Sequence, residues 1–464
     1  MSAIRIIGST GLLLTASLAF LDLAPSPYLA WHAPRRTSAP AVAQGNPQLR
    51  RDAALTWRYF VDATANATSL PADRIDMGTS AGKSISATTS PTDIAMYLMS
   101  LTAARDLGLV SPKAANQRMK AITATLVKLP NWHGFPYNWY NTSTGSPQNT
   151  TSGHFISTVD DGWYAAGLIV ARQAFPQFAA PLTRLVNAMD FARLYDPSAG
   201  QLYGGYDTVN KTLTTWHYGN LNTESRVADY IAIGSGKVPA TLWWSVYRTL
   251  PASWTWQLQK PVGQTVTHDG VPVFEGHYSM FGMKYVPSWG GSMFETLMPT
   301  IVLEEQTLAP NGLGMNDRQM VDLQMRYAAS RHYPVWGISP CALPNNGYGV
   351  YGVPGLGASK YAENGTVTPY ATFLALNFRP RASVANLARL QSLYHLVGPL
   401  GYYDSVNVHS GAVAHAYLAL DEGMSLAALD NYLNHDSIQH YFNANPVGRK
   451  PQSLLSRENM FLHS

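Results

Sequence analysis

Acidic side chains are scarce in this chain, and five of them follow segments rich in aromatic residues and glycine. The chain has 28 Asp and Glu among 464 residues. The five acids are Asp160, Asp161, Glu224, Glu295 and Asp404. Two carboxyl groups, one protonated and one ionised, can protonate a leaving oxygen and activate a water molecule. Hydrolysis of a glycosidic bond requires that pair, so the five acids are the candidates for such chemistry.

The surroundings of these acids are of a type that binds neutral sugars. The segments are FISTVDDGW at 155–163, WHYGNLNTE at 216–224, VPSWGGSMFE at 286–295 and GYYD at 401–404. Glycine lets the backbone approach a ligand closely, and an aromatic face covers the C–H face of a pyranose. A single segment of this kind is equally consistent with a loop that leads into a core helix. Its recurrence four times favours a sugar-binding cleft.

Glu224 and Asp404 are the preferred catalytic candidates, although each has a plainer interpretation. Glu224 follows the capping residue Asn222, whereas Asp404 follows two tyrosines that can shield it from water. Glu224 can instead be a capping-box acid bonded to its own helix. Asp404 can be a loop acid bonded to nearby backbone. From the residues alone, both interpretations stay open.

Other chemistries have weaker support. The 13 His include no H-E-x-x-H pattern and Cys341 is the single cysteine, so neither a metal nor a cofactor is expected. The glycine-rich stretches at 200–205 and 352–357 lack the context of phosphate-binding loops. Gly290-Gly291-Ser292 is not G-x-S-x-G, which argues against a serine hydrolase. Lys and Arg are scattered, so the net charge of +4 does not predict nucleic-acid binding.

Thirteen amphipathic segments predict a helical fold. They span 48–65, 91–107, 112–129, 160–175, 181–194, 223–233, 239–250, 292–305, 317–332, 367–376, 382–397, 411–429 and 430–442. Every second segment is rich in Ala, Gly, Met and Leu and follows an aromatic loop, whereas the intervening ones carry most of the Arg, Lys and Gln. The apolar segments begin at Thr92, Asp160, Thr223, Ser292, Thr368 and Gly411.

Six apolar helices, each paired with a more polar one, predict an all-α fold of the (α/α)6 toroid type, a six-hairpin barrel. Its cleft is expected at one end of the inner helices. The alternative is an irregular all-α domain. Small β-hairpins are predicted near the cleft at 201–215 and 264–283, the second with its turn at Asp269-Gly270.

The N-terminal region predicts export. Residues 1–24 read as a signal peptide or an N-terminal membrane anchor, because Arg5 precedes a short apolar run at 6–20. Residues 25–47, rich in Pro, Ala and Arg, predict a flexible linker, and 48–464 predict one domain. A hydrophobic content of 46% can bury a large core. An exported chain with one cysteine suggests a periplasmic or secreted bacterial protein.

Residues 53–442 resemble the bacterial glycoamylase-like family, close to endo-β-1,2-glucanases and the glucan-processing domain of cyclic β-1,2-glucan synthases. The shared motifs are TTSPTDI at 88–94, AARDLG at 103–108, YNWY at 137–140, STVDDG at 157–162, the run at 288–299, WGIS at 336–339, TPYA at 368–371 and GYYD at 401–404. The resemblance implies an (α/α)6 fold and action on a β-linked glucan.

The resemblance also implies residue roles. Hydrolases of this group are expected to use Glu224 as general acid and Asp404 as general base, with inversion and a proton relay through a substrate hydroxyl. Retaining relatives carry Glu at the positions of Pro340 and Asp404, which favours hydrolysis here. Asp421-Glu422-Gly423 departs from the Asp-Gln-Gly of many relatives and leaves the identity of the glucan open.

The sequence therefore predicts an exported glycoside hydrolase that cleaves a β-linked glucan, most simply an inverting endo-β-1,2-glucanase. The alternatives are a retaining glucan transglycosylase, a non-catalytic glycan-binding or polysaccharide-assembly protein, and a polysaccharide lyase. The expected partner is a polysaccharide or oligosaccharide. The predicted substrate-binding residues are Tyr140, Asp160, Asp161, Trp163, Trp216, Arg226, Trp289, Glu295, Tyr351 and Tyr403.

Overall fold

The computed structural model describes residues 46–78 and 82–460, and this part of the chain is rich in helices. None of its helices is long and apolar enough to cross a lipid bilayer. The predicted signal peptide or anchor at 1–24 and the linker up to residue 45 lie outside the described residues. The helices are α1 (Pro47–Ala63), α2 (Pro91–Asp106), α3 (Pro112–Leu126), α4 (Thr158–Ala174), α5 (Ala179–Ala188), α6 (Arg226–Gly234), α7 (Leu242–Ser245), α8 (Met293–Leu297), α9 (Glu305–Leu308), α10 (Leu313–Ser330), α11 (Pro369–Leu374), α12 (Pro380–Tyr394), α13 (Ala419–Leu433), α14 (Ser437–Ala444), α15 (Pro446–Arg449) and α16 (Gln452–Arg457).

The strands are short and form small antiparallel sheets between the helices. They are β1 (Arg74–Met77), β2 (Lys83–Ile85), β3 (Thr88–Thr89), β4 (Asn131–Trp132), β5 (Phe135–Pro136), β6 (Tyr140–Asn141), β7 (Phe155–Ser157), β8 (Tyr195–Asp196), β9 (Gln201–Leu202), β10 (Gly205–Asp207), β11 (Thr212–Leu213), β12 (Val262–His268), β13 (Val271–Met280), β14 (Met283–Tyr285), β15 (Cys341–Ala342), β16 (Tyr348–Gly349), β17 (Thr366–Val367), β18 (Val397–Gly398), β19 (Gly401–Tyr402), β20 (Ser405–Asn407), β21 (Val413–Ala414) and β22 (Ala416–Leu418).

The apolar helices α2, α4, α6, α8, α11 and α13 form the centre of the core. In α2 and α4 nearly every side chain is buried, which explains their composition of Ala, Gly, Met and Leu. Helix α2 packs between α4 and α13, α4 also packs against α6, and α11 packs against both α13 and α8. The more polar helices α1, α3, α5, α10, α12 and α14 bury one face only. The predicted alternation of apolar and polar helices is therefore confirmed except between α6 and α8, where the short α7 is apolar and buried.

Several predicted helices have wrong boundaries, and in three of them the physical reason is clear. The segment 292–305 divides because Pro299 lacks an N–H and opens a 3-10 turn (Met298–Ile301) between α8 and α9. The segment 239–250 reduces to α7, since the Arg248 side chain occupies the carbonyls of Trp243 and Val246. The segment predicted to start at Gly411 is β21 and β22 before α13, because β22 pairs with β1.

Both predicted hairpins are present. Strands β10 and β11 form the first hairpin, in which Tyr206 pairs with Leu213. Strands β12 and β13 form the second, with seven residue pairs between 262 and 277. Asp269 and Gly270 form the second turn with φ of 50° and 83°. Two left-handed residues in succession match the right-handed twist of the flanking strands, and glycine adopts this conformation without steric cost.

A buried ion pair ties α6 to its neighbours. Arg226 Nε and Nη2 donate to the two oxygens of Glu305 at 2.8 Å each, and Nη2 also donates to Thr296 O at 2.7 Å. Both charged side chains are fully excluded from solvent. Asp317 contributes a second negative charge 3.8 Å from Nη2. The start of α6 is thereby fixed against α8, α9 and α10.

We expect Glu305→Ala to destabilise the protein by about 3–5 kcal/mol, because it leaves the Arg226 guanidinium buried without its main partner. Urea unfolding measures the change. The matched control is Asp62→Ala, which breaks the surface pair Lys83–Asp62 and should cost less than about 1 kcal/mol. A similar cost for both variants would show that the buried pair does not hold α6 in place.

Candidate active site

A cavity of about 480 Å³ lies where several apolar helices begin. Its wall includes Thr92 and Asp93 from the first turn of α2, Asp160 and Trp163 from α4, and Glu224 from the turn before α6. Because the N-terminal ends of these helices meet, side chains far apart in the sequence converge on one space. We refer to this space as the main cavity.

Glu224 is held at the wall of the main cavity by its backbone. Trp163 Nε1 donates to the Glu224 carbonyl oxygen at 3.2 Å, and Asn222 Nδ2 fixes the turn by donating to Val286 O at 2.8 Å. Helix α6 begins only at Arg226, and no side chain caps it. The capping-box interpretation of Glu224 is therefore wrong. Its Oε2 is buried without a hydrogen-bond partner.

The pKa of Glu224 is raised from 4.5 to about 8. Burial is the largest cause, since removal from water disfavours the charged form of a carboxyl group. The charges of Glu295 and Asp160 raise the pKa further, whereas the Arg226 guanidinium lowers it. At neutral pH Glu224 therefore carries a proton that it can donate to a group in the main cavity.

Glu295 has the opposite surroundings. It forms a capping box with Ser292 at the start of α8. Its carboxylate also accepts from Ser288 Oγ at 2.7 Å and from the Gly290 N–H at 3.0 Å. Burial raises the pKa of Glu295, and these donors oppose the rise. Glu295 thus organises the loop at 288–292, and its predicted contact with a sugar stays a prediction.

Gly290 allows an aromatic ring to reach this loop. A Cβ atom at Gly290 would lie 2.1 Å from Cδ2 of Tyr361, so any other residue displaces that ring. The negative charges of Glu295 and Glu224 both raise the pKa of Tyr361 after burial, which places its hydroxyl beside the two acids. Burial and the charges of Asp160 and Glu224 likewise raise the pKa of Tyr218, whose hydroxyl therefore lies near these two acids.

Asp160, Asp161 and Trp163 all lie near the start of α4, but their surroundings differ. Asp160 lines the main cavity and accepts from Thr92 Oγ1 at 2.5 Å and from Ser157 Oγ. Asp161 is fully buried with neither carboxyl oxygen hydrogen-bonded, and burial raises its pKa well above the ordinary value. Trp163 lines the cavity and holds the Glu224 backbone.

Asp404 lies outside the main cavity. It lines a narrow neighbouring cavity together with Tyr403 and Asp421, which we refer to as the small cavity. The Ala342 N–H donates to its Oδ2 at 2.5 Å. Burial raises the pKa of Asp404 to about 6, although hydrogen bonds from Asp421 and Ala342 and the charge of Arg74 lower it. The proton of the Asp404–Asp421 pair resides on Asp421, whose pKa is raised well above the ordinary value by burial and by the Asp404 charge.

Asp73 and Arg74 connect the two cavities. Both line the main cavity. The charge of Asp404 raises the pKa of Asp73, and the charge of Arg74 lowers that of Asp404. Tyr348 also lines the main cavity and is 56% exposed. The structure therefore brings Glu224 and Asp404 into adjoining cavities and not onto a single wall.

Four predicted binding residues are committed to contacts within the fold. Tyr140 is fully buried, and its hydroxyl donates to Pro130 O at 2.5 Å and accepts from the Tyr137 N–H. Arg226 faces Glu305. These positions do not support a contact of Tyr140 or Arg226 with substrate. Tyr351 is buried, and its hydroxyl accepts a hydrogen bond from Asn364. Tyr403 is partly buried, and its ring packs against His415 and Tyr417.

Two predicted binding residues present their rings to solvent. Trp216 is 49% exposed and lies over Gly204, where a Cβ atom would come within 2.1 Å of the indole. Trp289 is 40% exposed and lies in the loop at 288–292, which Glu295 holds. Both indoles are therefore available to a ligand in the absence of any rearrangement.

Several residues of the site were missed from the sequence: Asp73, Arg74, Asp93, Tyr218, Tyr348, Tyr361 and Asp421. Asp93 has a sequence signal, because Ser90 and Asp93 form a capping box in the TTSPTDI motif. Asp73 and Arg74 have none, since their position depends on the pairing of β1 with β22. Within 46–78 and 82–460, no group of three His, Cys, Asp or Glu is arranged to hold a metal ion.

The raised pKa of Glu224 predicts a pH-dependent stability. Folding raises its pKa from 4.5 to about 8, so the folded state holds the proton more tightly than the unfolded chain. This contribution is complete below pH 4.5 and is lost as the pH rises to about 8. We expect Glu224→Gln, which cannot ionise, to lose less stability than the wild type between pH 5 and pH 9, as measured by denaturant unfolding.

The control for this measurement is Asp62→Asn, which removes a carboxyl group from a surface ion pair. Between pH 5 and pH 9 this variant should lose as much stability as the wild type does. An equal loss of stability in the wild type and in Glu224→Gln would contradict the assignment of a buried, protonated Glu224.

Comparison with known proteins gives consistent family matches. The glycoamylase family matches residues 216–446, and a family described as a protein of unknown function matches residues 51–240. The cyclic β-(1,2)-glucan synthase NdvB of Rhizobium meliloti is 24% identical over 98% of this chain. The chain spans about a fifth (20%) of the length of that relative.

Solved structures share the fold. An endo-β-1,2-glucanase from Chitinophaga pinensis, solved with sophorotriose and glucose, superposes with a TM-score of 0.68 and 17% identity, covering 88% of this chain and 97% of that chain. An endo-β-1,2-glucanase from Talaromyces funiculosus, solved with sophorose, has a TM-score of 0.68 and 13% identity, covering 91% and 93%. The resemblance of this chain to the glycoamylase-like family is therefore confirmed: the family model and a cyclic β-1,2-glucan synthase match its sequence, and endo-β-1,2-glucanases share its fold.

Proposed function

We propose that this chain is a glycoside hydrolase that cleaves β-1,2-glucan internally and with inversion. The observation that carries the proposal is the carboxyl group of Glu224, which is protonated at neutral pH, has an unpartnered oxygen and lines a cavity of about 480 Å³. A proton donor facing a cavity of this size is what cleavage of a glycosidic bond needs. Metal or thiolate chemistry has no comparable cluster within the described ranges.

We also propose that the six apolar helices form a closed (α/α)6 toroid. Helix α13 packs on α2, α2 on α4, and α4 on α6, which supports this arrangement. Helix α11 continues the ring by packing on both α13 and α8. The remaining junction, between α6 and α8, is bridged by Arg226, which donates to Thr296 O. The glycoamylase-like structures share the fold on which the proposal rests.

In the proposed mechanism Glu224 protonates the glycosidic oxygen and Asp404 accepts a proton from the attacking water. With a pKa of about 6, Asp404 is ionised at neutral pH. Because it lines the small cavity and Glu224 the main cavity, direct contact of both groups with one sugar is unfavourable. This separation supports proton transfer to Asp404 through a substrate hydroxyl.

The choice of β-1,2-glucan rests on the relatives. The glucanases that share the fold carry that linkage in their names, and two were solved with sophorose or sophorotriose. The matching relative NdvB makes cyclic β-1,2-glucan, although the chain spans only a fifth (20%) of it. We further propose that the protein is exported to the periplasm or secreted, on the basis of the apolar run at 6–20.

Hydrolysis is preferred over transglycosylation because of two positions. Retaining relatives are expected to carry Glu where this chain has Pro340 and Asp404. An Asp side chain is one methylene shorter than Glu and leaves room for a water molecule. A purely glycan-binding protein has no need of the raised Glu224 pKa, which costs stability at neutral pH.

Glu224→Gln should reduce kcat by about 10²- to 10⁴-fold on β-1,2-glucan, because the amide keeps the shape of the side chain and cannot donate the proton. Release of reducing ends measures the loss, and circular dichroism confirms the fold. Asp62→Asn is the control and should retain full activity, since Asp62 pairs with Lys83 on the surface. Activity within tenfold of wild type in Glu224→Gln would remove Glu224 from the chemistry.

Hydrolysis should invert the anomeric centre. A general base needs a water between itself and the anomeric carbon, whereas a nucleophile must contact that carbon. In a time-resolved NMR assay the first reducing ends released from β-1,2-glucan should therefore be α. Initial β product would show retention and assign Asp404 or another acid as a nucleophile. Accumulation of cyclic or transferred glucans would assign the protein as a transglycosylase.

A further inference from the structure

Three tryptophans form a continuous exposed surface beside the loop at 288–292. Trp254, Trp256 and Trp289 are 40%, 54% and 40% exposed. The ring centroids of Trp254 and Trp256 are 6.0 Å apart with planes inclined by 25°, and those of Trp256 and Trp289 are 5.9 Å apart. We call these three residues the tryptophan tract.

Exposure of three adjacent indoles is unfavourable in the absence of a ligand. A single exposed apolar side chain is ordinary, whereas a contiguous apolar patch on a soluble protein marks a binding site. The flat faces of indole rings suit the C–H faces of pyranose sugars, and the indole N–H remains free to hydrogen-bond. The chemistry of the tract therefore fits a carbohydrate chain.

The loop that carries Trp254 and Trp256 is firmly anchored. The Gln257 side chain donates to Pro251 O at 2.8 Å and accepts from Tyr278 OH at 2.7 Å. Two residues further on, Gln259 Nε2 donates to Tyr285 OH at 2.9 Å. These bonds satisfy the polar groups of the loop internally and leave the indoles facing solvent. A ligand would therefore lose little affinity to ordering of the loop.

A second set of bonds joins this loop to Trp289. The Leu258 N–H donates to Ala358 O at 3.1 Å, and the Ala358 N–H donates to Ser288 O at 2.8 Å. The Ser359 N–H then donates to Trp289 O at 2.7 Å. Three segments distant in the sequence are thus joined by backbone hydrogen bonds, and the spacing of the three indoles is fixed.

Trp289 of the tract is linked to Glu224 of the main cavity through Gly290 and Tyr361. Trp289 precedes Gly290, whose N–H donates to Glu295. Tyr361 packs on Gly290, and its pKa is raised by the charges of Glu295 and Glu224. The tract therefore begins within the loop at 288–292, whose Gly290 contacts the ring of Tyr361.

We propose that the tryptophan tract is an additional binding site for a neutral β-linked glucan, one that holds sugar units of a long chain beyond those in the main cavity. The inference rests on the proposed function and extends it, because it predicts a preference for long over short glucans. Trp289 contacts the units nearest the cavity, and Trp254 and Trp256 contact units further away.

The test uses Trp254→Ala and Trp256→Ala, each compared with Leu258→Ala, which removes an exposed apolar side chain from the same loop. The substrates are a long β-1,2-glucan and a short β-1,2-linked oligosaccharide. We expect kcat/KM on the long glucan, divided by that on the short one, to fall about tenfold in each tryptophan variant, as for the loss of one stacked aromatic. Leu258→Ala should keep the wild-type ratio.

A binding experiment separates the tract from the chemistry. Affinity electrophoresis in long β-1,2-glucan, with every variant in the Glu224→Gln background, should show weaker retention for both tryptophan variants and unchanged retention for Leu258→Ala. Equal retention of all variants would overturn the tract. Altered self-association of the tryptophan variants, with glucan retention unchanged, would overturn it in favour of an interface between copies. If the wild type did not turn over β-1,2-glucan and the Glu224→Gln protein were not retained by it, the proposed function itself would be refuted.

Discussion

Burial of the Glu224 carboxyl group, with Oε2 left without a hydrogen-bond partner, is the constraint on which the site depends. An isolated carboxylate in such a position is strongly disfavoured, so the group retains its proton at neutral pH. The position is imposed by the turn before α6, which Asn222 fixes to Val286 and Trp163 fixes through the Glu224 carbonyl. The fold thus determines the protonation state through the backbone.

Arg226 lies two residues from Glu224 and would ionise it if its charge were unopposed. Glu305 accepts two hydrogen bonds from the guanidinium, and Asp317 lies 3.8 Å from it. The positive charge is therefore neutralised within the α6, α9 and α10 contact, and only a small part of it acts on Glu224. The same ion pair that fixes α6 in the core also allows Glu224 to remain an acid.

The alternation of helices could be predicted because burial on all sides leaves a compositional trace in α2, α4 and α13. Strand β22 at 416–418 could not, since its partner β1 lies more than 300 residues earlier in the chain. The sequence favoured Glu224 over Glu295 as the catalytic acid, but it could not show how their surroundings differ, because both lie near a helix start. Donors from Ser288 and Gly290 make the difference, and only the folded loop provides them.

Asp404 and Asp421 extend this principle to the small cavity. Two carboxyl groups so close together cannot both ionise, and one must keep a proton. The Ala342 N–H and the charge of Arg74 favour the negative charge on Asp404, so the proton remains on Asp421 and its hydrogen bond orients Asp404. At neutral pH Glu224 is therefore a proton donor and Asp404 a proton acceptor, although Glu224, Asp404 and Asp421 are all carboxylic acids. Their different states follow from the donors and charges around each group and not from residue type.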